Sequence, residues 1–284
     1  MQHANKRLSA LAALAGIVLS MTSHMAYAVD STWDDIKKSG IVRVGVITNR
    51  PCYYWQKPGE TEWRGFPVQM SRDIVEAMSK EMGEPLKVEW VPTGWNTVIL
   101  DAQASKLDIF VGLAETEERK RAVNMFGPLW SVPDVAIARP GITLGKTWES
   151  FNNPNVKVSV AMGTTTEQTA RKYVPNAQIR ALKSTNDAIL DVQSQNSDIF
   201  INTAISGLAA MKENANLANL VMPEPLSSIP AGGITRKDGD GKLAAFIQHW
   251  SEQYRASGKV DTEIKAALVD CGLDVSKLPA NTKF

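Results

Sequence analysis

Strand-like and helix-like stretches alternate along most of the chain, and the alternation runs through once, breaks off and begins again. Ile41-Val42-Arg43-Val44-Gly45-Val46-Ile47 has the β-branched, period-2 character of a strand. Residues 69–82 set Met70, Ile74, Val75, Met78 and Met82 on one helical face, with Gly83 as the stop. Strands at 86–91 and 107–112 flank a helix near 95–105. The second round has strands at 156–161, 178–182 and 198–202, with helices at 164–173 and 184–194. A return strand at 231–237 leads into amphipathic helices at 241–256 and 261–270. This order predicts an α/β chain in two halves, each a sheet flanked by helices. The junctions fall near 136–139 and 231–236, so the chain crosses twice and leaves a cleft, a favoured place for a small-molecule site. No short repeat or low-complexity tract interrupts the pattern.

The first 28 residues stand apart from this scheme. Lys6 and Arg7 precede a short apolar run at 8–19, and Ala26-Tyr27-Ala28 is an A-x-A cleavage signal. The run is too short for a membrane span, and no cysteine follows the cleavage point as a lipid anchor requires. The expectation is an exported protein cleaved after Ala28. Removing those 28 of 284 residues takes away two basic side chains and no acid, leaving 29 basic against 30 acidic. That balance gives no electrostatic case for nucleic acid. His3 and His24 leave with the leader, so His249 alone remains, and a histidine-based triad or multi-histidine metal site has almost nothing to use. No metal or other cofactor is expected.

Four stretches carry a resemblance to a known family: the opening strand Val42 to Ile47, Arg64-Gly65-Phe66, the block 107–130 (LDIFVGLAETEERKRAVNMFGPLW), and Val160-Ala161-Met162-Gly163-Thr164-Thr165. Together they resemble the periplasmic solute-binding proteins of family 3, the polar amino-acid receptors of ABC importers. The resemblance implies the type II periplasmic binding protein fold, two lobes joined by a two-strand hinge. Residues 29–136 and 234–284 would form lobe 1, and 137–233 lobe 2. It also implies a monomer that meets a small carboxylate ligand and an inner-membrane ABC permease.

The same resemblance implies a set of binding residues. Arg119 lies where the family clamps a carboxylate, and a planar guanidinium suits that task because it donates two parallel charge-assisted hydrogen bonds. Without the resemblance, Arg119 reads as one more solvated charge in the run 117–121. Gly163, Thr164 and Thr165 lie between a strand and a helix start, where unsatisfied amides favour an anion; a plain N-cap threonine is the simpler reading. Gly112 and Ala114 match ligand-contacting positions of the first lobe, although Ala114 lacks the usual hydroxyl. Trp95 falls where the family stacks a ring on the ligand, with Tyr53, Trp63 and Trp130 as neighbours or core residues.

Two positions depart from the family. Thr203, preceded by Asn202, stands where an aspartate normally holds the ligand's α-ammonium. Either another acid such as Glu115 substitutes, or the ligand lacks that ammonium. Arg50 stands where an aromatic wall is usual, and facing the cleft it would favour an acidic ligand: a dicarboxylate, a keto acid or an acidic amino acid. Cys52 and Cys271 either pair across lobe 1, as an oxidising compartment permits, or are unrelated thiols.

The leading function is a binding protein that closes on its ligand and consumes nothing. Two alternatives stay open: a periplasmic dehydratase-like enzyme acting on a prephenate-like acid, with Glu115 or Glu224 as its acid or base, and a sensor or accessory protein using the same cleft.

Overall fold

The computed structural model describes residues 30–214, 217–273 and 284; the expected signal peptide and its cleavage point lie outside them. Helix α1 (Thr32–Ser39) opens the fold, capped by the Ser31 hydroxyl, which accepts the Asp34 amide, and closed by left-handed Gly40. It is followed by β1 (Ile41–Ile47), α2 (Phe66–Met82), β2 (Lys87–Thr93), α3 (Val98–Gln103), β3 (Ile109–Ala114) and α4 (Glu117–Ala122). The five apolar residues that the α2 pattern set on one face are all buried, and the helix starts three residues ahead of the expected Gln69, with Pro67 in its first turn.

The next element, β4 (Asn124–Ala138), has 15 residues and no counterpart in the pattern reading. Its Gly127, Pro128 and Pro133 look like loop punctuation, since proline cannot donate to a ladder. The sheet absorbs them: the register slips between Phe126 and Trp130, and Pro133 lies at the end of one ladder just before the next begins. Beyond it come β5 (Lys157–Ala161), α5 (Thr165–Tyr173), β6 (Gln178–Leu182), α6 (Thr185–Gln193), β7 (Ile199–Thr203), α7 (Ala204–Glu213) and β8 (Ala218–Val221). The return strand β9 covers Ser228–Thr235 rather than 231–237, and α8 (Lys242–Ala256) and α9 (Lys259–Asp270) end the described elements. Helix α7 also escapes the pattern reading; its Gly207 lets the helix lie against Ile137 and Val135 of β4, where an added Cβ would come within 3 Å of both.

The strands run in the order β2-β1-β3-β9-β4-β7-β5-β6, with β8 attached to β4. Strand β4 pairs with β9 from Asn124 to Pro133 and with β7 from Asp134 to Ala138, so one strand serves both halves. In the first half a single large core fills the space between sheet and helices, with Val44, Ile74, Met78, Ile109 and Phe110 fully buried. In the second half the core divides by strand alternation. Ala136, Ile199 and Ile201 face one side with Trp148, while Val135, Ile137 and Phe200 face the other with Val192.

Both halves use the same junction. The dipeptide Asp-Ile followed by Phe occurs at 108–110 and at 198–200. The Asp108 carboxylate accepts the Arg43 amide at 2.8 Å and the Arg43 guanidinium; Asp198 accepts the Lys157 amide at 3.0 Å and the Arg139 guanidinium at 2.8 Å. Each acid thus ties the start of one strand to its neighbour with charge-assisted bonds. A disulfide joins Cys52 to Cys271, with 5.2 Å between Cα atoms, and fastens the loop after β1 to the end of α9. Closing a loop of that length in the unfolded chain contributes about 5 kcal/mol by the chain-entropy account.

Glu263 of α9 sits in a half-buried cluster with Tyr254 of α8 and Asp73 of α2, and burial pushes its carboxyl up to about 7. A carboxyl raised on folding stabilises the fold while protonated, and that contribution is lost as pH rises from its unfolded value through about 7. Urea unfolding of Glu263→Gln should therefore show roughly 2 kcal/mol more stability than the parent at pH 8, after discounting for solvent, and no difference at pH 4. An equal difference at both pH values would contradict this.

Candidate functional site

The loop after β1, the ends of β3 and β7, the middle of β4, the first half of β9 and the starts of α5, α6 and α7 surround one cavity with about 670 Å³ of empty space including its mouth. Arg50, Tyr53, Trp95, Gly112, Ala114, Arg119 and Trp130 line it from the first half. Thr164, Thr165, Asn202 and Thr203 line it from the second. Gly163, expected in the same set, does not line it; its carbonyl accepts from the Arg119 guanidinium. Trp63 packs against the first-half core and does not line the cavity.

Arg119 is fixed by the short α4. Thr116 caps that helix, its hydroxyl accepting the Arg119 amide at 3.2 Å, and this turns the side chain inward, where it is 8% exposed. Its guanidinium donates to the Ala114 carbonyl at 2.7 Å and, across the cleft, to the Gly163 carbonyl at 3.0 Å. Burial pushes its pKa down to about 10, and the nearby Glu118 carboxylate offsets only a small part of that fall. Among the described residues it forms no ion pair. Keeping it charged at neutral pH costs about 3 kcal/mol, a deficit an anion in the cavity would offset.

Opposite Arg119 the chain turns from β5 into α5. Thr164 caps the helix by accepting the Glu167 amide, and Glu167 reaches back to accept the Gly163 N–H at 2.8 Å. The expected donor at Gly163 is therefore already taken, and Thr165 and Thr166 carry the first-turn amides that have no partner within the helix. Gly163 holds φ 76° with its Cα face against Asn96, where a Cβ would meet backbone at 3.1 Å, so the two halves touch there. Gly112, at φ 124°, makes room for the Tyr54 hydroxyl, which donates to the Val111 carbonyl.

The aromatic residues divide by role. Trp95 lies edge-on to Phe110, and Trp130 edge-on to Phe66. Tyr53 packs on Phe66, and its hydroxyl lies 3.4 Å from the Thr203 hydroxyl across the cleft. Arg50 is buried between the rings of Tyr53 and Trp95, at 5.7 and 6.0 Å from their centroids, and donates to the Ser206 hydroxyl at 2.6 Å. Thr203 in turn bonds Ser206 at 3.1 Å.

Several lining residues escaped sequence reading, chiefly Asp134, Thr166, Thr185 and Ser206. Asp134 is the one carboxylate among the described lining residues. It lies directly beside Thr203 in the β4–β7 register and accepts from the Thr169 and Ser227 hydroxyls, both at 2.8 Å. Burial pushes its carboxyl above the usual range. The acids considered earlier are elsewhere: Glu115 pairs with Lys120 at 3.5 Å, Glu224 is exposed, and neither lines the cavity. Asp134 and Ser206 could not be read because neither β4 nor α7 was recognised.

Residues 42–265 match the model of the bacterial extracellular solute-binding proteins, family 3. The chain belongs to this family. Among solved structures it is similar to the ancestral amino acid-binding protein AncCDT-1, described as a precursor of cyclohexadienyl dehydratase. That likeness has 30% identity and a TM-score of 0.69 over 83% of this chain and 99% of that one. An ancestral arginine-binding protein bound to glutamine matches at 26% identity and TM-score 0.68, over 80% and 97%. The amino acid ABC transporter substrate-binding protein AbpA from Streptococcus pneumoniae, bound to L-arginine, shares the fold at 19% identity and TM-score 0.72, over 84% and 98%. No curated protein matches the sequence.

If desolvation of Arg119 is the dominant electrostatic cost of the ligand-free cleft, then Arg119→Met should unfold at the same or higher denaturant concentration than the parent. The expected gain is up to about 3 kcal/mol. A loss of more than about 1 kcal/mol in the same titration would mean that the two carbonyl bonds outweigh it.

Proposed function

We propose that this family 3 protein works in the periplasm, after cleavage behind Ala28, as a monomer that captures a small carboxylate ligand and delivers it to an ABC importer. The single observation that carries the reading is Arg119: a buried guanidinium without an acid partner, facing the N-terminal turn of a helix across a cavity of ligand size. The carboxylate would take the place of the two carbonyl acceptors that Arg119 now uses, with the Thr165 and Thr166 amides closing from the other side. Gly112, Ala114 and Trp95 would form the first-half wall, and Asn202 and Thr203 the second.

We take the lobes to divide at 133–134 on β4, where it leaves β9 for β7, and at 230–231 on β9, where β3 joins it opposite β4, each three residues ahead of the lobe boundary expected from the resemblance. Closure would then be a rotation about that antiparallel pair. Relatives on this fold that bind arginine or glutamine support an amino acid or a related acid as ligand. A non-catalytic role is supported by the positions of Glu115 and Glu224 outside the cavity and by the engagement of Asp134, the one carboxylate among the described lining residues, with the Thr169 and Ser227 hydroxyls. A dehydratase-like reaction would need its acid or base in contact with the substrate.

The test is a thermal-shift screen of the mature protein against amino acids, keto acids, dicarboxylates, aromatic acids and prephenate. A ligand present at about 100 times its Kd adds roughly 2.7 kcal/mol, which raises the melting temperature of a chain this size by at least a degree or two. At least one carboxylate should do so, and Arg119→Gln should abolish the shift. Stabilisation only by compounds lacking a carboxylate would contradict the reading, as would consumption of the stabilising acid on incubation.

A further inference from the structure

Arg50 is the second buried cation of the cleft, and among the described residues no carboxylate forms an ion pair with it. It is 7% exposed, and among the described residues it makes one side-chain hydrogen bond, to Ser206; its Nε has no partner. Its central carbon lies over the rings of Tyr53 and Trp95, contacts that attract the cation but supply no counter-charge. Among the described residues the one carboxylate that acts on it is Glu213, the weakest of the influences on it, and burial dominates. The charge balance of the cavity is therefore two guanidiniums against Asp134. Among the described residues that acid forms no ion pair with either guanidinium: its Oδ2 accepts from the Thr169 and Ser227 hydroxyls, and burial pushes its carboxyl above the usual range.

A monocarboxylate bound at Arg119 would leave Arg50 uncompensated in a site that closure makes drier. Unpaired buried charge is among the most costly arrangements in a protein. We propose that Arg50 is a second anion-binding centre of the same cleft, and that the ligand is a small acid with two anionic groups, one met by Arg119 and the other by Arg50. The inference rests on the carboxylate-capture reading and narrows it to diacids. Its simplest rival is that Arg50 merely latches the two halves through Ser206.

Calorimetric titration of the mature protein with matched pairs separates these ideas: succinate against succinamate, aspartate against asparagine, glutamate against glutamine. In each pair only the second charge changes. The best diacid should bind about 100-fold more tightly than its half-amide, the usual scale for leaving a buried charge without its partner. Arg50→Gln, which keeps a donor for Ser206, should reduce that ratio to within threefold of unity by weakening the diacid alone. Arg50→Lys, which keeps the charge without the fork, should retain a clear preference for the diacid.

Half-amides binding as tightly as diacids would overturn the proposal, as would an Arg50→Gln variant that keeps the full ratio. An Arg50→Lys variant that behaves like Arg50→Gln would do so too, because the effect would then not follow charge. Should Arg50→Gln fail to fold, the parental ratio and the Arg50→Lys variant still decide. Tight half-amide binding abolished by Arg119→Gln would sink this inference and leave carboxylate capture standing. Absence of binding by any acid would remove both.

Discussion

The antiparallel pairing of β4 with β9 is the constraint on which the rest of the molecule depends. These two strands run through the middle of the strand order; the β3 side has a single core, which also takes in Ile205 and Ala209 of α7, and the rest of the β7 side is divided between two others. A strand that changes partners at Pro133–Asp134 need not break to cross between halves, so both are held at a fixed spacing along a shared ladder. The site follows from this. Asp134 begins the second ladder, Thr203 lies opposite it, and Trp130 and Ala231 lie in the first ladder just before the change. The residues around the cavity converge because their strands all end, or change partners, at this one level.

Electrostatically, the cleft is built short of negative charge. Elsewhere the chain pairs its half-buried arginines with carboxylates: Arg43 with Asp108, Arg139 with Asp198, Arg236 with Asp30. Within the cavity Arg50 and Arg119 use hydroxyl and carbonyl oxygens instead, on the far side of the cleft in both Ser206 and Gly163. These neutral acceptors satisfy geometry and leave charge unbalanced. The same bonds join the two halves, so an entering anion would compete with Ser206 and Gly163 for donors that are already aimed into the cleft. The disulfide bears on this directly, because Cys52 lies between Arg50 and Tyr53 and anchors the loop that carries both.

Much of the α/β alternation was legible in the sequence because its signals are periodic. The apolar face of α2, the β-branched runs of β1 and β5 and the glycine stops report burial that repeats along the chain. What was lost was non-periodic. β4 contains two prolines and a bulge, and only its partners, far away in sequence, make it a strand. The glycine in α7 weakens a helix signal yet is required by the close approach to β4. The composition of the cavity was partly readable through Arg119, Trp95 and the 163–165 turn, all carried by resemblance rather than pattern. Asp134 was invisible because its place in the site is set by register against Thr203, which no local window encodes. The junction acids Asp108 and Asp198 show a repeated use that a search for short repeats misses, since only three residues recur.

The central claim is that a small acid is held in this cleft between Arg119 and the first turn of α5. A crystal structure of the mature protein with its most stabilising acid tests it most directly. The account predicts a carboxylate within hydrogen-bonding distance of the Arg119 guanidinium and of the Thr165 or Thr166 amide, with the Gly163 carbonyl displaced from Arg119. A ligand seated outside the cavity, or one inside it whose carboxylate makes no contact with Arg119, would contradict it.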